Sequence, residues 1–153
     1  DKQEEVVERI FTEANQLAGE QFDKETQITS LSGGQSRALM IADTAILSSS
    51  PIILIDEIEN AGIDREKALE LLVGEEKIVL MATHDPILAL MGDKRIIINN
   101  GGIKDIIATT AEEKELMQEL KLLDNVLTDL REDLRYGKNL SRISDELATV
   151  KNA

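Results

Sequence analysis

An α/β fold is predicted for this chain of 153 residues, and three stretches of its sequence predict it. PIILID, residues 51–56, and KIVLMATHD, residues 77–85, are short apolar runs of the kind expected of parallel strands covered on both faces. Between them, DREKALELLV is a short helix that Asp64 can cap and Gly74 can close. Strand, helix and strand at this spacing form a βαβ unit. The third stretch, RIIINNGGIKDII, holds two β runs around an NNGG turn, which predicts a hairpin.

Helices are predicted around this α/β segment. Residues 2–19 have an amphipathic pattern that Gly19 is expected to end. Its apolar positions recur at helical spacing: Val6, Ile10, Ala14 and Leu17. SRALMIADTAIL, residues 36–47, is apolar on nearly every side, which predicts a buried helix. PILALM, residues 86–91, is predicted to be a further short helix.

A charged helical region begins at Ala111. Its leucines alternate spacings of four and three over about three heptads, which is a marginal length for a coiled coil. This leucine seam consists of Leu116, Leu120, Leu123, Leu127, Leu130 and Leu134. Gly137 interrupts the seam, and a second short helix is predicted beyond it on Leu140, Ile143, Leu147 and Val150. The predicted organisation is a helical subdomain over 1–50, an α/β core segment over 51–110 and a C-terminal helical extension over 111–153.

The charge and composition argue against several classes of protein. The formal net charge of −13 is spread along the chain without a basic cluster, so neither a nucleic acid nor an anionic membrane surface is an expected partner. A phosphate site would have to use backbone amides and a metal ion. The chain has no cysteine, which excludes a disulfide framework. It also has no apolar run of the ~18 residues that a membrane span needs.

The sequence LSGGQ, residues 31–35, stands directly before the apolar helix. Ser32 and Gln35 have the spacing of a capping box, with Ser32 as N-cap and Gln35 at the third helical position. Gly33 and Gly34 leave backbone N–H groups uncovered at a helix N-terminus, where the helix dipole favours an anion such as phosphate. The alternative interpretation is an ordinary helix start with a glycine turn.

Acidic residues and the single histidine stand where the two predicted strands end. Asp56 and Glu57 close the first strand, and His84 follows the second. Open α/β sheets bind their ligands outside the carboxyl ends of the strands. Because adjacent side chains on a strand point to opposite faces, Asp56 and Glu57 are not expected to act as a carboxylate pair. The alternatives are a solvated strand end for the two acids and a structural hydrogen-bonding role for His84.

The order of these elements resembles the ATP-binding cassette (ABC) ATPase family. That order is LSGGQ before an apolar helix, an apolar strand ending in Asp56 and Glu57, then NAGID, then a second strand ending in THD. The resemblance covers residues 1–107. It implies a P-loop NTPase-like cassette that uses ATP and Mg²⁺, built from a helical subdomain segment, parallel strands, a β-hairpin and C-terminal helices.

The resemblance also implies roles for individual residues. Asp56 in the Walker B strand would hold Mg²⁺, usually through water, and Glu57 would orient or deprotonate the attacking water. His84 would be the switch histidine that contacts the γ-phosphate and links it to the general base. Asp64 would be both a helix cap and the D-loop aspartate that faces a partner subunit.

In this family two cassettes pair head to tail, with ATP sandwiched between the Walker A loop of one and the signature of the other. The signature residues Ser32, Gly33, Gly34 and Gln35 would therefore complete the ATP site of the partner subunit. Some positions depart from the family's pattern. Ile58 stands where Pro is usual, and the spacing from Asp56 to Asp64 is one residue longer, which leaves the D-loop assignment open. Two positions that often carry Arg in transporter cassettes are here Ala38 and Asp43, which leaves the subfamily open.

A Walker A loop, G-x-x-x-x-G-K-[ST], does not occur in the sequence. The glycine pairs are Gly33-Gly34 and Gly101-Gly102, and neither is followed by Gly-Lys-Ser/Thr. The sequence is therefore expected to be the C-terminal part of a cassette whose Walker A-containing N-terminal part is missing. Alone, it is expected neither to bind ATP tightly nor to hydrolyse it.

The favoured function is the ATP-binding subunit of an ABC transporter, cytoplasmic and held peripherally at the membrane by a transmembrane transporter subunit. One alternative is a soluble ABC ATPase of the repair, chromosome, translation or protein-activation type. The other is a non-enzymatic module in which the leucine seam over 111–136 recruits a partner helix. The competing interpretation of the seam is packing back on the α/β body.

Overall fold

The computed structural model describes residues 2–56, 58 and 62–139. The chain divides into two compact units, Asp1–His84 and Asp85–Ala153. Each unit contains both helices and strands, so the predicted mixed α/β fold class is confirmed. The three-part division at residues 50 and 110 stays a prediction. The helix predicted beyond Gly137, on Leu140 and the apolar residues after it, lies outside the described residues.

The first unit contains the predicted βαβ arrangement. Its elements are helix α1 (Lys2–Leu17), a 3-10 turn (Ile28–Ser30), helix α2 (Gly33–Leu47), strand β1 (Ile52–Asp56), helix α3 (Arg65–Gly74) and strand β2 (Ile78–Ala82). Strands β1 and β2 pair in parallel, from Ile52 opposite Ile78 to Asp56 opposite Ala82. Parallel strands need a crossover connection, and α3 supplies it.

Small side chains allow the helices of the first unit to pack closely. Ala14 of α1 and Ala42 of α2 are fully buried and form one cluster with Ile10. A second cluster joins α2 and α3 to the sheet through Ala45, Ile53 and Leu72. Because alanine adds little volume between two backbones, α1 and α2 can approach each other closely along this contact.

Only one face of the β1–β2 sheet is covered, so the expectation of strands covered on both faces is wrong for the part of the chain that the structure describes. Ile53 lies on the covered face and is buried. The opposite face, called here the open sheet face, consists of Ile52, Leu54, Ile78 and Leu80. All four are exposed, with Leu54 at 77% of its surface.

Helix α2 is also buried on one side only. The sequence is apolar nearly all round this helix, yet its buried residues are the alanines Ala38, Ala42 and Ala45. Met40 and Leu47 are exposed. The expectation of an all-round buried helix is therefore wrong among the described residues.

The second unit contains the predicted hairpin between helices. Its elements are helix α4 (Pro86–Met91), strand β3 (Lys94–Asn99), strand β4 (Gly102–Ala108) and helix α5 (Ala111–Arg135). The two strands are antiparallel. Asn100 and Gly101 form the turn with φ of 49° and 76°. Asn and Gly tolerate this left-handed conformation better than other residues, which explains why NNGG predicts the turn correctly.

Helix α5 starts in a second capping box and is tied to the hairpin. Thr110 and Glu113 exchange hydrogen bonds, and Arg95 of β3 donates to the Glu113 carboxylate at 2.5 Å. The hydrogen bond from Arg95, with a further bond from the Thr110 backbone, lowers the pKa of Glu113. The α5 helix ends before Gly137, which has φ of 71°.

The leucine seam of α5 is only partly covered. Leu120, Leu123 and Leu130 are half-buried. Leu116, Leu127 and Leu134 are exposed. Among the residues described, no helix is both long enough and apolar enough to cross a membrane.

Replacement of Leu72 by Ala is expected to lower the free energy of unfolding by about 2–5 kcal/mol, because the fully buried side chain would leave a cavity between α3, α2 and the sheet. The neighbouring Val73→Ala is the matched control, because Val73 is exposed and its loss should change stability by less than about 0.5 kcal/mol. Urea denaturation of both variants measures the difference. Equal effects would contradict the described core.

Candidate functional site

The N-terminus of α2 carries the predicted capping box. The Ser32 hydroxyl oxygen accepts a hydrogen bond from the Gln35 backbone N–H at 3.2 Å, and the Gln35 side-chain oxygen accepts one from the Ser32 N–H at 2.9 Å. The prediction of Ser32 as N-cap is therefore confirmed. These two bonds fix the angle at which the chain enters the helix.

Gly33 and Gly34 are the first two residues of α2. The first N–H groups of a helix have no acceptor within the helix, and they point out of its N-terminal end. A Cβ atom on Gly33 would meet nothing within 4 Å, so this position faces open space. The arrangement can receive an anion from outside, because helix dipole and backbone donors both favour negative charge there.

The Gln35 side-chain amide is used inside the chain. Its nitrogen donates to the backbone carbonyls of Glu20 at 3.2 Å and Gln21 at 3.3 Å. The loop that follows α1 is thereby attached to the start of α2. The sequence places Gln35 at the end of LSGGQ but gives no sign of these long-range partners.

The segment 62–64 lies beside the start of α2. A Cβ atom on Gly62 would lie 3.8 Å from the Cα of Gly34, and Gly62 has φ of 64°. The Asp64 N–H donates to the Leu17 carbonyl at 2.8 Å. The structure thus brings the start of α2 and the described end of the NAGID segment together within one unit.

Asp64 caps α3, as predicted. One carboxylate oxygen accepts from the Lys67 N–H at 3.1 Å, and the other lies 3.2 Å from the Lys67 ammonium group. Both oxygens are therefore engaged by the chain itself, although the side chain remains 40% exposed. A contact of Asp64 with a partner subunit would have to share or displace Lys67.

Asp56 and His84 lie at the carboxyl edge of the parallel strand pair. Asp56 is the last residue of β1 and pairs with Ala82, the last residue of β2, and His84 follows two positions later. Both side chains are exposed. This is the edge at which open α/β sheets hold their ligands. Glu57, the predicted catalytic base, lies outside the described residues.

A complete metal cage is absent from the described part of the chain, where no group of three or more acidic residues or histidines is placed to hold an ion. Magnesium does not require such a cage, because it retains waters and uses one or two carboxylates together with substrate phosphates. The exposed carboxylate of Asp56 at the strand end fits that requirement.

Asn15 is a residue of this region that the sequence interpretation missed. Its side chain accepts from the Phe22 N–H at 2.9 Å and donates to the Phe22 carbonyl at 3.1 Å. Asparagine in a helix interior competes with the backbone for hydrogen bonds and is disfavoured there. The presence of Asn15 within a predicted helix was therefore the sequence feature that could have indicated a specific hydrogen-bonding role for it.

Comparison with known proteins supports the resemblance that the order of motifs carries, that of a fragment of an ATP-binding cassette ATPase. It is 55% identical, over 138 residues and 90% of its length, to an uncharacterized ABC transporter ATP-binding protein of Methanocaldococcus jannaschii. The chain spans about half the length of this curated relative, 53%. No protein-family model matches the chain, and no solved structure matches it.

Replacement of Ser32 by Ala is expected to lower the free energy of unfolding by about 1 kcal/mol, because the Gln35 N–H loses its cap. Ser32→Asp should stay close to the wild type, since aspartate is an equally good N-cap. Ser30→Ala, at an exposed serine outside α2, serves as the control and should have little effect. Chemical denaturation measures all three, and an unchanged Ser32→Ala variant would contradict the capping box.

Proposed function

We propose that this chain forms the signature and Walker B part of an ABC-type ATPase, which binds and hydrolyses ATP where two cassettes meet head to tail. The observation that carries the proposal is the 55% identity, over nine tenths of the chain, to a relative named as an ABC transporter ATP-binding protein. The arrangement of the first unit supports it in two places, at the start of α2 and at the carboxyl edge of the sheet.

The start of α2 is proposed to bind the ATP of the partner cassette. The resemblance assigns this role to Ser32, Gly33, Gly34 and Gln35. Backbone donors at a helix N-terminus suit a phosphate group, and the open space beside Gly33 allows one to approach. Because the Gln35 amide is bonded to the loop after α1, we assign the phosphate contacts to the other three residues.

The segment 62–64 lies next to this helix start, and it is proposed to face the same partner. Gly62 and Gly34 are close neighbours, so a surface that meets one also meets the other. This supports the D-loop assignment of Asp64 despite the unusual spacing from Asp56. The Asp64 side chain would then act chiefly as the cap that fixes the direction of α3.

The carboxyl edge of β1 and β2 is proposed to serve the nucleotide bound to the chain's own cassette. Asp56 would hold Mg²⁺ through water, and Glu57 would orient or deprotonate the attacking water. His84, at the end of the neighbouring strand, would contact the γ-phosphate. Mg²⁺, when bound, supplies positive charge that offsets the charge of the phosphates. The chain itself has a formal net charge of −13, so such a counter-ion would favour the binding of ATP.

A Walker A-containing part is proposed to complete the cassette and to cover the open sheet face. Parallel sheets are normally covered on both faces. Here Ile52, Leu54, Ile78 and Leu80 are exposed on one side of the sheet. Burial of such side chains contributes about 1.5–3 kcal/mol each. The open sheet face is therefore a strong candidate for the contact with that part.

We propose that ATP hydrolysis by the complete protein drives transport. A transmembrane subunit is the proposed partner that anchors the ATPase at the cytoplasmic side of the membrane. The name of the relative, an ABC transporter ATP-binding protein, supports this choice over a soluble ABC ATPase. A second role, recruitment of a partner helix, is favoured by one observation on α5. Leu116, Leu127 and Leu134 are exposed, so the leucine seam retains an uncovered edge.

The chain alone is expected to show no ATP hydrolysis, whereas its combination with a Walker A-containing part should restore Mg-dependent turnover. Glu57→Gln in the combined protein should lower the rate by about 10²–10⁴, because the catalytic base is lost, and it should trap an ATP-bound dimer. Phosphate release and sizing chromatography with ATP measure both effects.

Two outcomes would contradict this scheme. One is turnover by the isolated chain that Glu57→Gln abolishes. The other is a Glu57→Gln protein that remains monomeric with ATP.

Leu54→Lys is expected to weaken association with the Walker A-containing part at least tenfold, because a charge would have to be buried in an apolar contact. Leu47→Lys is the matched control, since Leu47 is also an exposed leucine of the first unit but lies on α2, away from the open sheet face. Titration calorimetry or a pull-down with the purified part compares the two. Equal loss in both variants, or no loss in either, would exclude the open sheet face as the contact.

A further inference from the structure

We propose that residues 17–22 mechanically link the signature to the segment 62–64, and that Gln35 is a positioning residue of the signature and does not contact the nucleotide. The mechanical link itself does not depend on which ligand the protein binds or which reaction it catalyses. Only its importance for ATP rests on the function proposed above. Four sets of contacts within the first unit support it.

The first set is made by Gln35. Its side-chain nitrogen donates to two acceptors, the carbonyls of Glu20 at 3.2 Å and Gln21 at 3.3 Å. Its side-chain oxygen accepts from the Ser32 N–H. A phosphate or ribose oxygen would have to compete with these two carbonyls for the hydrogens of the amide nitrogen. The side chain therefore attaches the loop to the start of α2.

The second set is made by Asn15. Its amide group forms two hydrogen bonds with the backbone of Phe22, one through each side-chain polar atom. The Phe22 ring also packs edge-on against the Phe11 ring, with 5.6 Å between the ring centroids. The far end of the loop is thus fixed to α1 by polar and aromatic contacts together.

The third set connects the start of the loop to the segment 62–64. The Leu17 carbonyl accepts from the Asp64 N–H at 2.8 Å, and Ala18 forms an antiparallel bridge with Ile63.

The fourth contact is a close approach of backbone to backbone. A Cβ atom on Gly19 would lie only 3.3 Å from the Gly62 carbonyl oxygen. This approach is tight, and it is easiest at a residue without a side chain.

These contacts give residues 17–22 two attachments of different kinds. Backbone contacts tie the first half to the segment 62–64, and two side-chain amides tie the second half to α1 and α2. A displacement of the segment 62–64 is therefore passed to the N-terminus of α2 through a short stretch of chain that is attached at both ends. The two elements proposed to face the partner cassette move together.

The test measures backbone amide exchange by NMR in the purified chain, without nucleotide. Gln35→Glu retains the acceptor for the Ser32 N–H but loses both donors to the loop. We expect the Phe22 and Asp64 amides to exchange about fivefold faster, the factor that one lost hydrogen bond implies, while the Ser32 amide changes little. Gln35→Met removes the acceptor as well, so the Ser32 amide should also exchange faster.

Two further variants complete the design. Asn15→Asp retains the acceptor for the Phe22 N–H and loses the donor, so it should produce the same acceleration at Asp64 from the other end of the loop. Gln16→Glu, on an exposed neighbour in α1, adds the same charge and should change none of the three amides. The Ala89 amide, bonded to Asp85 in the second unit, reports that the variants remain folded.

The proposal is overturned if Asp64 exchange is unchanged in both Gln35 variants, because the loop then does not connect the two elements. It is also overturned if Gln35→Glu weakens ATP-dependent dimerisation of the combined protein while Asn15→Asp does not, because Gln35 would then act as a direct contact. Absence of any ATPase activity would contradict the proposed function and leave the exchange result valid.

Discussion

Parallel pairing of β1 with β2 is the constraint on which the first unit depends. Parallel strands cannot be joined by a tight turn, so the chain must cross over, and α3 makes that connection. The crossover brings the carboxyl ends of both strands to the same edge. Asp56 and His84, far apart in the sequence, therefore come to neighbouring strand ends. The apolar residues of the strands divide between a face covered by α2 and α3 and the open sheet face.

A contact between small residues positions the other half of the candidate site. Ala14 and Ala42 are fully buried where α1 packs on α2, and this close contact brings the end of α1 beside the start of α2. The loop that follows α1 then reaches Gln35, and Leu17 reaches Asp64. LSGGQ, the segment proposed as the signature, thus leads into a helix whose N-terminus has surroundings fixed by α1, an element that lies earlier in the sequence.

Local features of this protein could be predicted from the sequence because each depends on a few neighbouring residues. Ser32 caps α2 with Gln35, and Asp64 caps α3, since a capping side chain has to reach only two or three residues along the chain. The turn at Asn100 and Gly101 follows from the backbone freedom of those two residues. The order of LSGGQ, Asp56 and His84 along the chain was sufficient to reveal the resemblance to ABC ATPases, which the identity to the relative supports.

The sequence by itself therefore determined the caps, the hairpin turn and the βαβ unit, and it carried the resemblance to ABC ATPases. It could not determine which apolar residues are covered, because the pattern of β1 is the same whether one face or both faces meet a neighbour. Tertiary structure decided that Leu54 lies on an open face while Ile53 is buried. It also decided that the Gln35 amide holds the loop after α1, since its partners Glu20 and Gln21 are distant in sequence. Contacts across such distances depend on how the helices pack, and no short stretch of residues specifies that packing.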